Sequence, residues 1–182
     1  MISRVVVLSG PPGSGKSTAG HRVAAALGLE FRSAGALFRA EAQRHGLDLE
    51  AFGHFAEAHP EIDRALDDAM QALARPGFVL DGRVQGALCR RRGVPVYEVL
   101  VTADEDARVR RVAHRDGQSV DEARRRIADR EASERARYRR FYGIDLDRPG
   151  ADLTVDSTRS PPEEVTRTIV DFLTAREAGR TP

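Results

Sequence analysis

The chain carries RVVVLSGPPGSGKSTAG at residues 4–20. Its first half is a β-branched run with no polar alternation, the mark of a strand buried on both faces of a parallel sheet. Its second half opens a helix with Val23, Ala26 and Leu27 at helical spacing and Gly28 as its stop. Between them Gly10, Gly15, Lys16 and Ser17 match the pattern G-x-x-x-x-G-K-[ST]. Each part of that pattern has a task. The glycines let the backbone turn so that successive N–H groups converge on one phosphate. The helix beginning near Gly15 directs its positive end at the same anion. Ser17 offers a hydroxyl to Mg²⁺, and Lys16 reaches the β- and γ-phosphates of a nucleotide. The loop Gly10, Pro11, Pro12, Gly13, Ser14, Gly15, Lys16, Ser17 and Thr18 is thus the expected ATP site.

Lys16 is the only lysine in the chain, beside 28 arginines. A planar guanidinium is bulkier than an ammonium and would collide with the loop or pull the phosphates off line. A chain that uses arginine nearly everywhere keeps lysine where a compact point charge is required.

The bulk composition is that of one globular domain: 182 residues, 41% hydrophobic, 31% charged, and a net charge of +1 from 29 basic and 28 acidic residues. So balanced a chain has no global attraction to nucleic acid or to an anionic membrane. Cys89 is the single cysteine, which excludes an intramolecular disulfide and a cysteine-cluster metal site. The apolar run near the N-terminus is too short for a signal-peptide core or a membrane span, so a cytoplasmic location is expected.

Further strands are expected at 29–35, 77–82, 96–103 and 151–157. Helices are expected at 104–117, 119–143 and 160–173, with a broken helical stretch from Ala36 to about Arg75. Ser119 with Glu122 forms a capping box, and Ser160 with Pro161 reads as a helix start. The tail TAREAGRTP reads as frayed. This alternation predicts an α/β fold: a five-stranded parallel sheet flanked by helices, with ligands at the carboxyl ends of the strands. Two helical segments interrupt the alternation, one before strand three and one before strand five, and both should emerge at that end.

The phosphate cradle alone leaves several classes open. Switch GTPases normally read guanine with an N-K-x-D segment, which a single lysine at position 16 precludes. Motor and ring-forming ATPases need subdomains for which there is no room. A small kinase remains. FVLDGR at 78–83 supports this: Asp81 at the end of a core strand can hold Mg²⁺ or its waters, and Arg83 lies where an acceptor phosphate would sit. Residues 108–140 contain twelve arginines. Most read as a solvated face, with Asp121–Arg125, Glu122–Arg126 and Glu131–Arg135 at i,i+4 spacing. Arg126, Arg130, Ser133 and Arg137 instead share one helical stripe.

GPPGSGKST, SAGALFR (33–39), HPEID (59–63), LDGR (80–83), DREASERARYRRFYGIDL (129–146) and DSTRSPPEEV (156–165), in this order, resemble the cytidylate kinases, in particular their short archaeal-type form. The resemblance spans almost the whole chain. It implies a P-loop nucleoside monophosphate kinase fold with a core (1–35, 65–115, 144–176), an NMP-binding insertion at about 36–64 and a lid at about 116–143. It implies Mg²⁺-dependent transfer of the γ-phosphoryl group of ATP to CMP or dCMP. A monomer acting on small molecules is expected. Ser33, Gly35 and Arg39 would lie at the acceptor, with Arg39 and Arg83 on its phosphate and Asp63 reading the cytosine ring. Arg130 and Arg137 match the lid arginines. Arg111 and Arg115 stand where related kinases have an adenine-stacking and a phosphate-binding arginine. Lys16, Arg115, Arg130 and Arg137 are then the catalytic cations. One departure is Ala36, where the archaeal-type motif usually has aspartate after SAG. The rival readings are a small kinase for UMP, AMP or a shikimate- or gluconate-like alcohol, and a non-catalytic ATP-binding or RNA-associated module.

Overall fold

A computed structural model describes residues 1–147 and 150–179. The sheet consists of β1 (Val5–Ser9), β2 (Glu30–Ser33), β3 (Phe78–Asp81), β4 (Val96–Thr102) and β5 (Leu153–Asp156). All neighbours are parallel, in the order β2-β3-β1-β4-β5. The helices are α1 (Lys16–Leu27), α2 (Ala34–Arg44), α3 (Leu49–Ala58), α4 (Pro60–Gln71), α5 (Gln85–Arg91), α6 (Glu105–Asp116), α7 (Val120–Tyr142) and α8 (Pro162–Ala178).

β1 lies at the centre and is buried on both faces, which explains why its sequence shows no alternation. Its side chains nonetheless separate by parity. Val6 and Leu8 join Val23 of α1 and Ile169 and Leu173 of α8 on one side. Val5 and Val7 join Met70 of α4 and Cys89 of α5 on the other. Cys89 is fully buried in this second layer. A third cluster, Val109, Val112, Ala113, Ala123 and Ile127, fastens α6 to α7 and makes a helical hairpin of them.

The expected strands and helices are present, with local differences. α5 was not foreseen. β2 ends at Ser33, and α2 starts at once because the Ser33 side chain accepts the Ala36 N–H at 3.4 Å. The last helix is capped at Pro161 rather than at Ser160, and it continues to Ala178 through residues expected to fray. Residues 180–182 of that tail lie outside the described residues. Gly10 sits at φ +140, and a side chain there would strike the Val101 carbonyl, so the first glycine of the loop is required by contact as well as by torsion.

Candidate active site

The sheet order brings the ends of β1, β3 and β2 together. Ser33 lies opposite Asp81, and Asp81 opposite Leu8, one residue before the end of β1. There the Asp81 Oδ2 accepts hydrogen bonds from the Ser17 hydroxyl at 2.6 Å and the Ser33 hydroxyl at 3.2 Å. Ser17 and Asp81, expected to share a metal, are thus in direct contact, and Ser33 ties the edge strand to Asp81. Hydroxyl and carboxylate oxygens suit Mg²⁺, which keeps several waters and needs only one or two protein oxygens. Ser17 and Asp81 are the residues that would hold it.

The Lys16 ammonium donates to the Pro11 carbonyl at 2.9 Å. Burial lowers its pKa to about 8; Asp81 pulls it up, while Arg83 and Arg130 push it further down. Those same neighbours define a cationic wall opposite the cradle. Glu134 is buried between two of them, 2.8 Å from Arg130 Nε and 2.9 Å from Arg83 Nε. Burial alone would raise its pKa, but Arg130 and Arg83 outweigh it and hold the carboxyl at about 2. A permanent anion thus fixes one arginine from the end of β3 and one from α7. Arg39 of α2 has its pKa lowered by burial and by Arg115 and Arg130. It has no ion-pair partner among the described residues. Gly35 adjoins it: a Cβ built there would lie 3.5 Å from Arg39 Nη1. Arg115 is held in a fork by Asp116, at 2.7 and 2.8 Å, which raises its pKa.

Arg137, Asp63 and Arg111 are the remaining expected residues, and each is engaged within the protein. Arg137, grouped with Arg130 at the transferring phosphoryl group, instead donates to both oxygens of Asp63, at 3.0 and 2.9 Å. Seven residues separate it from Arg130, about 10 Å along the helix, and Glu134 between them feels the charge of both. The pair is buried, and Asp63 is pushed up by burial against the pull of Arg137. Arg111 donates to the Gly13 carbonyl at 3.4 Å and to the Ser157 hydroxyl and carbonyl at 3.0 and 2.6 Å, joining the cradle to the loop after β5.

Glu134, Arg108 and Ser157 were not singled out in the sequence. Glu134 was accessible to that reasoning, since it stands four residues after Arg130 and three before Arg137 on the same stripe. Arg108 was not. It belongs to the arginine run read as a solvated face, yet it is 9% exposed. The expected Glu131–Arg135 pair forms, at 3.7 Å, whereas Arg126 approaches Glu50 of α3 at 3.8 Å. Tyr138 and Tyr142 pack with Val84, Leu88 and Ile144 at the base of α7.

A central parallel strand running into a phosphate cradle, a hydrogen-bonded carboxylate–hydroxyl pair and a facing wall of arginines are the frame of a P-loop kinase. Solved structures agree on the fold. A shikimate kinase from Acinetobacter baumannii superposes with a TM-score of 0.62 at 19% identity, over 96% of this chain and 94% of that one. A gluconokinase from Sinorhizobium meliloti 1021 does so with a TM-score of 0.55 at 18% identity, over 96% and 93%. Sequence relatives are nearer. Residues 5–159 match the model of the cytidylate kinase-like family. The chain is 40% identical to a cytidylate kinase of Aeropyrum pernix over 91% of its own length and 96% of the relative's. It is 37% identical to one of Methanopyrus kandleri over 97% of each. The chain belongs to the cytidylate kinase-like family of nucleoside monophosphate kinases.

Proposed function

We propose that the protein transfers the γ-phosphoryl group of ATP to CMP, and also to dCMP, giving the diphosphate and ADP. The observation that carries this reading is the grouping of Lys16, Arg39, Arg83 and Arg130 around Asp81, itself bonded to Ser17, with Arg115 beside Arg39 and Arg130. Relatives named as cytidylate kinases supply the acceptor.

The N–H groups of residues 10–18 hold the ATP phosphates, and Lys16 sits on the β- and γ-oxygens. Mg²⁺, held by Ser17 and Asp81, neutralises phosphate charge when bound. Arg39 and Arg83 grip the acceptor phosphate and aim one of its oxygens at the γ-phosphorus. That oxygen forms the new P–O bond as the bond to the bridging oxygen of ADP breaks. The acceptor is already anionic, so no general base is required. Arg115 and Arg130 face the charge spread over the transferring group, where fixed cations act most strongly. Asp63 and Arg137 attend the nucleoside end of the acceptor. The insertion (about 36–64) closes toward the lid segment (about 116–143), whose arginines the α6–α7 hairpin holds in place, and the closure excludes water. Among the described residues no helix is long and apolar enough to cross a membrane. The working form proposed is a cytoplasmic monomer acting on small molecules.

The test is ADP formation from Mg·ATP with CMP, dCMP, UMP, AMP and GMP in turn. CMP is expected to give the highest kcat/KM. A higher value for AMP would overturn the pyrimidine assignment, and nucleotide binding without turnover of any acceptor would favour a non-catalytic module.

A further inference from the structure

A loop that turns its N–H groups inward to a phosphate must turn its carbonyls outward, and buried carbonyls need donors. Here each has one. The Pro11 carbonyl takes Lys16, at 2.9 Å. Pro12 takes Arg108, at 3.2 Å. Gly13 takes Arg111, at 3.4 Å. Ser14 takes the Ser157 hydroxyl, at 2.8 Å. Gly15 takes the Ala19 N–H, at 2.9 Å. Arg108 stands apart from the other donors because the same Nη1 also bonds Glu131 of α7, at 2.6 Å. Both side chains of that ion pair are largely buried, 11% and 13% exposed. The backbone is equally close: a Cβ built on Gly13 would lie 2.7 Å from the Arg108 carbonyl oxygen. α6 is therefore wedged against the back of the cradle, and one guanidinium joins the cradle to α7.

We propose that Arg108 is a positioning residue that sets the register of the α6–α7 hairpin against the phosphate cradle, with Glu131 as its partner. Glu131 follows Arg130 directly, so fixing one on the outer side of α7 fixes the angle at which the other enters the site. The α6–α7 cluster makes the hairpin one unit, so a single anchor at its open end suffices to align Arg115, on α6, together with Arg130. Arg108 and Glu131 bond each other, and Arg108 bonds the Pro12 carbonyl. Both act through the Pro12 carbonyl and through Arg130. The kinetic part of this proposal rests on the kinase reading above; the binding part needs only that ATP occupies the cradle.

The experiment is a double-mutant cycle on the full chain with Arg108→Met, Glu131→Gln and the pair together. It reads ATP affinity with a fluorescent ATP analogue, kcat and KM with the best acceptor of the panel, and Tm. Glu131→Gln leaves Arg108 on Pro12, so ATP affinity should stay within twofold while kcat falls about tenfold. Arg108→Met removes both bonds and should weaken ATP binding about tenfold as well as lower kcat. The double variant should be no worse than Arg108→Met, because the second change cuts a link already lost. Arg108→Lys keeps the charge without the fork, and should recover ATP affinity more than kcat. Additive losses in the cycle, or a fall in Tm with kcat and ATP affinity unchanged at 25 °C, would overturn the proposal. Should the panel reject CMP, the cycle is run with whichever acceptor works. Should no acceptor work, Arg108→Met binding ATP as tightly as the parent refutes the anchor independently.

Discussion

Lys16 is one ammonium among 28 guanidinium groups, and its surroundings explain the exception. Its nitrogen is seated on the Pro11 carbonyl with Asp81, Arg83 and Arg130 as charged neighbours. A fork with five donors has no room to turn there. Lys16→Arg, though it keeps the charge, is expected to lower kcat about 10²–10³-fold, the usual cost of losing a positioned transition-state cation. Steady-state turnover at saturating Mg·ATP checks this; a loss below tenfold would show that charge alone suffices. Glu134 is the complementary case, an anion among cations. Replacing it with glutamine keeps the shape and frees both Arg83 and Arg130. kcat should fall about 10–100-fold through misplacement, with ATP affinity nearly unchanged. Arg83→Ala should likewise damage CMP use far more than ATP binding, and equal loss of both would remove Arg83 from the acceptor phosphate. The Glu134 pKa is depressed from 4.5 to about 2, so its stabilisation is complete above about pH 4.5 and is lost as pH falls toward 2. An acid limb near pH 6 in a rate profile would therefore not belong to Glu134.

Helices α4, α5 and α7 enclose a second polar group, built on Asp67. Asp67 accepts from Gln85 Nε2 at 2.7 Å and from the Tyr142 hydroxyl at 2.9 Å, and Gln71 completes the set through Gln85. Burial raises the Asp67 pKa from 3.8 to about 6. A raised carboxyl pKa means that the folded state holds the proton more tightly than the unfolded chain does. Stability from this group is therefore present near pH 4 and lost as pH rises toward 6. Asp67→Asn removes the titration. The variant's Tm relative to the parent should climb across pH 4–6 and level off above, by roughly 5 °C if about 2 kcal/mol is at stake. A flat difference across that range would mean that Asp67 is solvated rather than buried. This network also shows where sequence reasoning stops. The periodicity of α7 and the caps Ser119 and Asp104 lie in neighbouring residues and are legible. α5 is seven residues long, too short for a periodic signal, and it owes its existence to Gln85 and Cys89 meeting α4. Likewise Arg108 resembles its solvated neighbours until α6 is laid against the cradle.

The alternation of strands and helices announces a parallel sheet, and GPPGSGKST locates its ligand, but neither contains the strand order that delivers Ser33 and Asp81 to one point. The whole molecule adds a link between two of its helical segments. Asp63 lies in the segment assigned to the insertion and Arg137 in the segment assigned to the lid, and their buried ion pair joins them beneath the Phe38 ring, 5.4 Å from the guanidinium. Because removing one member of a buried pair strands the other, Asp63→Ala should destabilise the fold by about 3 kcal/mol, lowering Tm by roughly 6–12 °C. Asp63→Asn keeps an acceptor for Arg137 and should cost less. If the pair attends the acceptor nucleoside, Asp63→Asn and Arg137→Ala should both raise KM for CMP about tenfold and narrow the preference for CMP over UMP, with KM for ATP unchanged. Hydrogen–deuterium exchange then tests the coupling itself. CMP alone should increase protection in α4 and α7 together in the parent, and Asp63→Asn should weaken both effects. Protection confined to α4 would mean that the insertion closes without the lid helix, leaving the pair a structural clasp and the acceptor-binding role of Arg137 withdrawn.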